Sequence, residues 1–261
     1  MAMTLDQYIL NPMGKNNSVL NAAVRESYRK LYMIRFDKIL LREHGKVDYF
    51  LYEDSATNTF WAHIKVPSET VKRFYYDIVF KFTADQSVSG LGQDLLKYNV
   101  QFYSNDPSFV FTFAHVFATN NLFIKELAPK MSKRALAEPA TEKNPNNDVG
   151  YVKTIFFAYL LMKNKGLYKK SRFTAESKPF DLKKLLQDIE AADDKIDARQ
   201  EAQKTVTKER KKDMSTVTDY VMGNKAGSTM KKVEAIHTTP SVGTRDSKIK
   251  STKSVKRTKR K

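Results

Sequence analysis

The spacing of apolar positions changes twice along the chain. Near the start, Leu5, Tyr8 and Ile9 fall on one side of a short helix, a pattern that packs on a body more often than it binds a ligand. Asn11-Pro12 and Gly14 punctuate the next segment. Asn16-Asn17-Ser18 supply a cap for a helix predicted from Val19 to about Leu31. A β-rich region comes next. Tyr32 to Arg42 alternates loosely and ends at the turn pair His44-Gly45. Val47 to Glu53 is rich in β-formers. Phe60 to Val66 alternates, with Ala62, Ile64 and Val66 on one face and Trp61, His63 and Lys65 on the other. Pro67 ends that run. Phe74 to Thr83 and Asn99 to Tyr103 complete a predicted meander of four or five mainly antiparallel strands. The polar loop Asp85 to Asp94 separates the last two.

Helical spacing then returns. Ser104-Asn105-Asp106-Pro107 is a cap followed by proline at the first helical position. The predicted helix runs to about Ala118, buries Phe109, Phe113, Val116 and Phe117, and stops at Asn120-Asn121. Pro129 to Asn147 reads as a polar linker. Asp148 is placed to cap a helix from Gly150 to Lys163, with Ile155, Phe156, Tyr159 and Leu160 inward and Gly166 at its end. A last helix is predicted from Asp181 to about Gln203, where the pattern fades into charge. The fold class implied is α+β: a small mainly antiparallel sheet packed with three to four helices, followed by a disordered basic C-terminal tail. The divisions are an N-terminal arm (1–18), a globular domain (19–203) and the tail (204–261).

Composition supports one real core and a separate tail. Hydrophobic residues make up 41% of the 261, with 16 Phe and 13 Tyr, which is enough apolar surface to fold. The absence of cysteine excludes a disulfide framework, a thiolate zinc site, an iron–sulfur cluster and a cysteine nucleophile. Met1 to Gly14 lacks a cationic start followed by an apolar run, so no secretory leader is expected. Phe109 to Ala118 and Ile155 to Met162, the longest apolar-rich stretches, fall short of the ~20 residues of a membrane helix. The lack of cysteine fits a reducing compartment.

Charge changes the picture most. The formal net charge is +17, and residues 204–261 hold 17 basic and 5 acidic residues, a net of +12. Residues 1–203 hold 29 basic and 24 acidic, a net of +5. The tail has a single aromatic residue, Tyr220, and cannot bury enough apolar area to offset chain entropy. Its last fourteen residues carry eight cations (Lys248, Lys250, Lys253, Lys256, Arg257, Lys259, Arg260 and Lys261) and no acidic residue. A cationic arm of this kind suits a phosphate backbone, because each neutralised phosphate releases a condensed counterion. These eight residues are the candidate nucleic-acid contacts, to DNA without sequence preference. A solubilising tail, or one that meets an acidic protein surface or anionic lipid, is the plainer reading of the same charge. The arm lacks Trp and Phe and would have no apolar face as a helix, which argues against a membrane-surface helix.

Catalytic chemistry has little support. The four histidines (His44, His63, His115 and His237) are scattered, and no HExxH or Cys–His set is present. His115, inside a Phe-rich helix, reads as a satisfied core or boundary residue. Asp193, Asp194 and Asp197 read as a solvated helix face beside Lys195 and Arg199, not as a metal pair. No phosphate-binding glycine loop or serine-nucleophile motif occurs. Phe74-Tyr75-Tyr76 with Phe80 and Phe82, interleaved with Lys72, Arg73 and Lys81, would form a base-stacking platform on an open sheet. Ordinary strand packing explains the same run better. No enzyme activity, metal or cofactor is expected.

The segments Asn105-Asp106-Pro107-Ser108-Phe109 and Asn144-Pro145-Asn146-Asn147-Asp148-Val149-Gly150-Tyr151-Val152-Lys153, with Asn11-Pro12-Met13-Gly14-Lys15 near the start, resemble small proteins encoded in tailed-bacteriophage genomes. The resemblance spans about residues 4–203 and carries over no functional residue. It implies a structural protein of the virion, in the head or at the head–tail junction, whose tail contacts packaged DNA and whose body meets other virion proteins. The alternative it implies is a free nucleic-acid-binding protein of phage replication, transcription or packaging, and the location implied is a virion or the host cytoplasm.

Overall fold

A computed structural model describes residues 3–10, 22–84, 92–150, 152–205 and 207. All of them belong to one compact unit, Met1–Asp213. Four strands form the predicted meander: β1 (Tyr49–Asp54), β2 (Thr59–Pro67), β3 (Tyr75–Thr83) and β4 (Asn99–Ser104). A two-residue strand, β5 (Lys178–Pro179), pairs parallel with β1, so the sheet order is β4-β3-β2-β1-β5. Register places Leu51, Ala62, Phe80 and Phe102 in one row and Tyr52, Trp61, Lys81 and Gln101 in the next. Alternate rows face opposite sides of the sheet.

Both sides are covered, so β2 is buried along nearly its whole length. Against the Phe80–Phe102 side pack α1 (Leu5–Leu10), α3 (Pro107–Thr112), α4 (Ala114–Thr119) and α6 (Lys153–Lys165). Their aromatic contacts are tight, with Tyr8–Phe102 at 4.8 Å and Phe102–Phe117 at 5.4 Å between ring centroids. Between α4 and α6 in sequence lies the short α5 (Lys133–Ala137). Helix α2 (Ala22–Arg42) lies on α6, with Phe36 and Phe157 rings 5.6 Å apart. Helix α7 (Lys170–Glu176) leads into β5. The Trp61 side is closed by the chain from Phe180 through α8 (Leu182–Asp188) to a last helix, α9, over 192–205. There Phe180 stacks on Trp61 at 4.3 Å and 13°.

The α+β architecture agrees with the sequence pattern, and several local readings need correction. Residues 32–42 are helix, not strand. Tyr32, Phe36, Ile39 and Leu40 recur at helical spacing and face the core. The exposed apolar residues Leu31, Met33, Ile34 and Leu41 between them blur the period. The expected 107–118 helix is two helices. It breaks at Phe113 (φ −124°, ψ −17°), which is only partly buried. The polar linker from Pro129 contains α5 and follows a 3-10 turn, Lys125–Lys130. The 181–203 helix breaks at Ile189–Glu190–Ala191, and α7 has no counterpart in the sequence pattern. Several helices pack on the sheet, some of them fragments of longer expected ones, while α2, at 21 residues, is longer than expected. The Asn16-Asn17-Ser18 cap and most of the Asp85–Asp94 loop lie outside the described residues.

Start and stop residues set several of the helix boundaries. Asp106 accepts from the Ser108 amide (2.9 Å) with Pro107 at the first helical position. Asp181 caps α8 through the Lys184 amide (3.1 Å). Gly166 ends α6 at φ +69°. Asp148 does not cap α6. Asn144 holds it instead, accepting from the Asp148 amide (3.0 Å) and donating to its carbonyl (2.9 Å), and α6 starts later behind Val152. Gly150 lies against the Phe113 ring, where a Cβ would sit 2.3 Å from Cε1.

The first helix belongs to this core. Met3, Leu5, Tyr8 and Ile9 are all buried. The Tyr8 hydroxyl donates to the Gly150 carbonyl (3.0 Å) and accepts from the Val152 amide (3.1 Å). Burial drives its pKa well up, so it stays a neutral phenol that can do both. Tyr8→Phe strands a buried amide and carbonyl, and should cost about 1–3 kcal/mol in chemical unfolding. A loss under ~0.5 kcal/mol would mean that the hydroxyl does not join α1 to α6.

Candidate functional site

The eight proposed nucleic-acid contacts, Lys248 to Lys261, lie outside the described residues, as does His237. The functional chemistry of the folded body must therefore be sought among its own polar groups.

Asp77 is the most constrained of them. It is the third residue of β3, within Tyr-Tyr-Asp-Ile-Val-Phe, and is 4% exposed. Its Oδ1 accepts from His63 Nε2 on β2 (2.8 Å). Its Oδ2 accepts from Asn105 Nδ2 (2.8 Å) and from the Glu190 amide (3.3 Å). Asn105 Oδ1 accepts from the Asp77 amide (2.7 Å), and Asn105 Nδ2 also donates to the Glu190 carbonyl (3.2 Å). Tyr103 adds a bond from its hydroxyl to the Lys130 carbonyl (3.1 Å). Burial alone would raise the pKa of Asp77. The His63 hydrogen bond and charge, with Lys65 and Lys195, outweigh it and hold the carboxyl below its ordinary value.

A His–Asp pair is half of a general-base apparatus, but this one is closed. His63 is 0% exposed, Phe50 lies over its ring at 5.5 Å, and Nδ1 has no hydrogen-bond partner among the described residues. No hydroxyl among the described residues is placed to be activated by it. The arrangement joins β2, β3, the β4–α3 connection and the Ile189–Ala191 break. It therefore fixes where α9 leaves the sheet. The sequence signal is a lone aspartate inside an apolar strand, which must find partners when buried.

The remaining candidates are accounted for by packing and solvation. Tyr76, Phe80 and Phe82 are buried, and Phe74 and Tyr75 are partly so. With Trp61 stacked under Phe180 and Lys81 over its other face (4.9 Å), this sheet offers no open stacking platform. His115 is a boundary residue whose Nδ1 donates to the Leu136 carbonyl (2.9 Å). It lines a surface cleft of about 330 Å³ with Phe111, Ser132 and Arg134. Asp193, Asp194 and Asp197 are exposed on α9. Among the described residues no three His, Cys, Asp or Glu side chains gather as a metal site, and no helix is long and apolar enough to cross a membrane.

No protein-family model, curated protein or solved structure matches this chain.

Proposed function

We propose that the chain is a non-enzymatic structural protein of a bacteriophage particle, placed in the head or at the head–tail junction, whose C-terminal arm contacts packaged DNA without sequence preference. The observation that carries the DNA contact is the net +12 on residues 204–261, set against +5 on the rest of the chain. Cations in such excess over so few aromatics match phosphate neutralisation and not base reading. The particle setting is supported by the phage resemblance. It is also supported by Leu31, Ile34 and Leu41, which α2 leaves exposed on one side, a surface that a subunit packed among neighbours covers. The His63–Asp77 pair holds segments together, which fits a structural role.

Mass spectrometry of purified particles tests the reading. The protein is expected at a fixed copy number, retained after salt washes that strip loosely bound proteins. Absence from particles, with DNA binding intact in the purified protein, would favour a free nucleic-acid-binding factor of replication, transcription or packaging.

A further inference from the structure

A second polar cluster lies where three distant segments meet: the Pro67–Thr70 turn after β2, the first turn of α6, and Arg199 on α9. They enclose a pocket of about 50 Å³, lined also by Tyr76 and Asp106. Two of its groups have no hydrogen-bond partner among the described residues. Thr154 is 2% exposed and its Oγ1 is unpaired. Arg199 Nε is likewise buried and unpaired. Buried donors left unmade are costly, and native proteins rarely keep two together without reason.

The rest of the pocket points to an anion. Helix α6 has 13 residues, and Val152 brings no side-chain cap to its first turn. Its first turn borders this corner through Lys153 and Thr154, close to the positive end of the helix dipole. Lys153 and Arg199 line the pocket, and Arg35 and Arg42 flank it. The two carboxylates are already engaged. Glu69 pairs with Lys153 and with Arg35 (3.8 Å), and Asp106 caps α3 through Ser108. Arg42 donates to the Ser68 carbonyl (2.6 Å) and fixes the turn. What remains is a buried hydroxyl and a guanidinium N–H bordering a space a few waters wide beside the first turn of α6. A tetrahedral oxyanion fits that space. A backbone diester, with substituents on both sides, does not.

We infer that this pocket is a phosphate site, taking free phosphate or the terminal monoester of a chain. It is independent of the basic tail and of the particle reading. The test uses the full-length protein at constant ionic strength, with inorganic phosphate as the probe in calorimetry and thermal unfolding. Saturable one-site binding and a rise in Tm are expected. Arg199→Gln and Thr154→Val should each weaken binding about tenfold or more, as loss of a hydrogen bond to a charged group does. Because Thr154→Val removes an unpaired hydroxyl, it should match or exceed the parent's Tm in phosphate-free buffer while losing the phosphate-dependent rise. Glutamine replacement of the eight tail cations should leave the one-site binding unchanged. Competition by a 5′-phosphorylated dinucleotide, but not its 5′-hydroxyl form, would identify a chain terminus as the source; no competition by either would identify free phosphate. Absence of saturable binding, or equal binding by the parent and both pocket variants, overturns the assignment.

Discussion

Asp77→Ala should destabilise the folded body by about 3–5 kcal/mol, the range for removing one partner of a buried ionic pair. The aspartate answers three donors at once: His63 Nε2, Asn105 Nδ2 and the Glu190 amide. Alanine leaves His63 Nε2 buried without its acceptor, takes the acceptor from the Glu190 amide, and takes one of two acceptors from Asn105 Nδ2. Asp77→Asn separates geometry from charge. An asparagine whose carbonyl takes the place of Oδ2 still accepts from Asn105 and Glu190. Its amide then donates to His63 Nε2, provided that the imidazole carries its proton on Nδ1. That variant should lose only about 1–2 kcal/mol. Urea unfolding with linear extrapolation measures both. Equal losses for the two variants would mean that the site does not re-pair and that charge is what matters.

The same carboxylate sets an acid dependence. Its folded pKa lies below the ordinary aspartate value. A depressed pKa means that the unfolded chain binds the proton more readily. Stability from Asp77 is therefore complete above pH ~3.9 and is lost as pH falls through the folded value. Asp77→Asn should flatten the stability curve in that acid window.

How much of this is legible in the sequence depends on the length scale of the signal. The four long strands can be read within two residues at each end, because period-two alternation and turn residues are local. β5 cannot be, since two residues, Lys178–Pro179, become a strand only through their partner β1. Helix α2 reads as strand over 32–42 because its exposed side is nearly as apolar as its buried one, so neither period dominates. The break at Phe113 has no sequence marker: neither glycine nor proline stands there. The site signals divide in the same way. A tail's charge is additive along the chain and can be counted. The Asp77 network and the Thr154–Arg199 pocket join segments far apart in sequence, and each member alone is an ordinary polar residue. Only Asp77, isolated in an apolar strand, announces that a partner is needed.

Replacing the eight cations from Lys248 to Lys261 with glutamine should change DNA binding more than any substitution in the body. Glutamine keeps the length and reach of the arm and removes only its charge. On duplex DNA, log affinity falls with log salt at ~0.9 per neutralised phosphate. If half to all of the eight residues touch phosphates, the slope should flatten by about 4 to 7 units. The loss in affinity should be large at low salt and small at high salt, because the released counterions are worth least when salt is abundant. Unrelated DNA sequences should compete at similar concentrations before and after the change, since phosphate contacts carry no sequence information. An unchanged slope removes these residues from the interface and leaves the solubilising role. A single sequence bound ~1,000-fold more tightly than the rest would reach the range of specific binders. That preference cannot come from an arm whose only recognition chemistry is charge and reach, because reading base edges requires side chains held in a groove. It would have to arise in the folded body, and the structural reading would give way to that of a regulator.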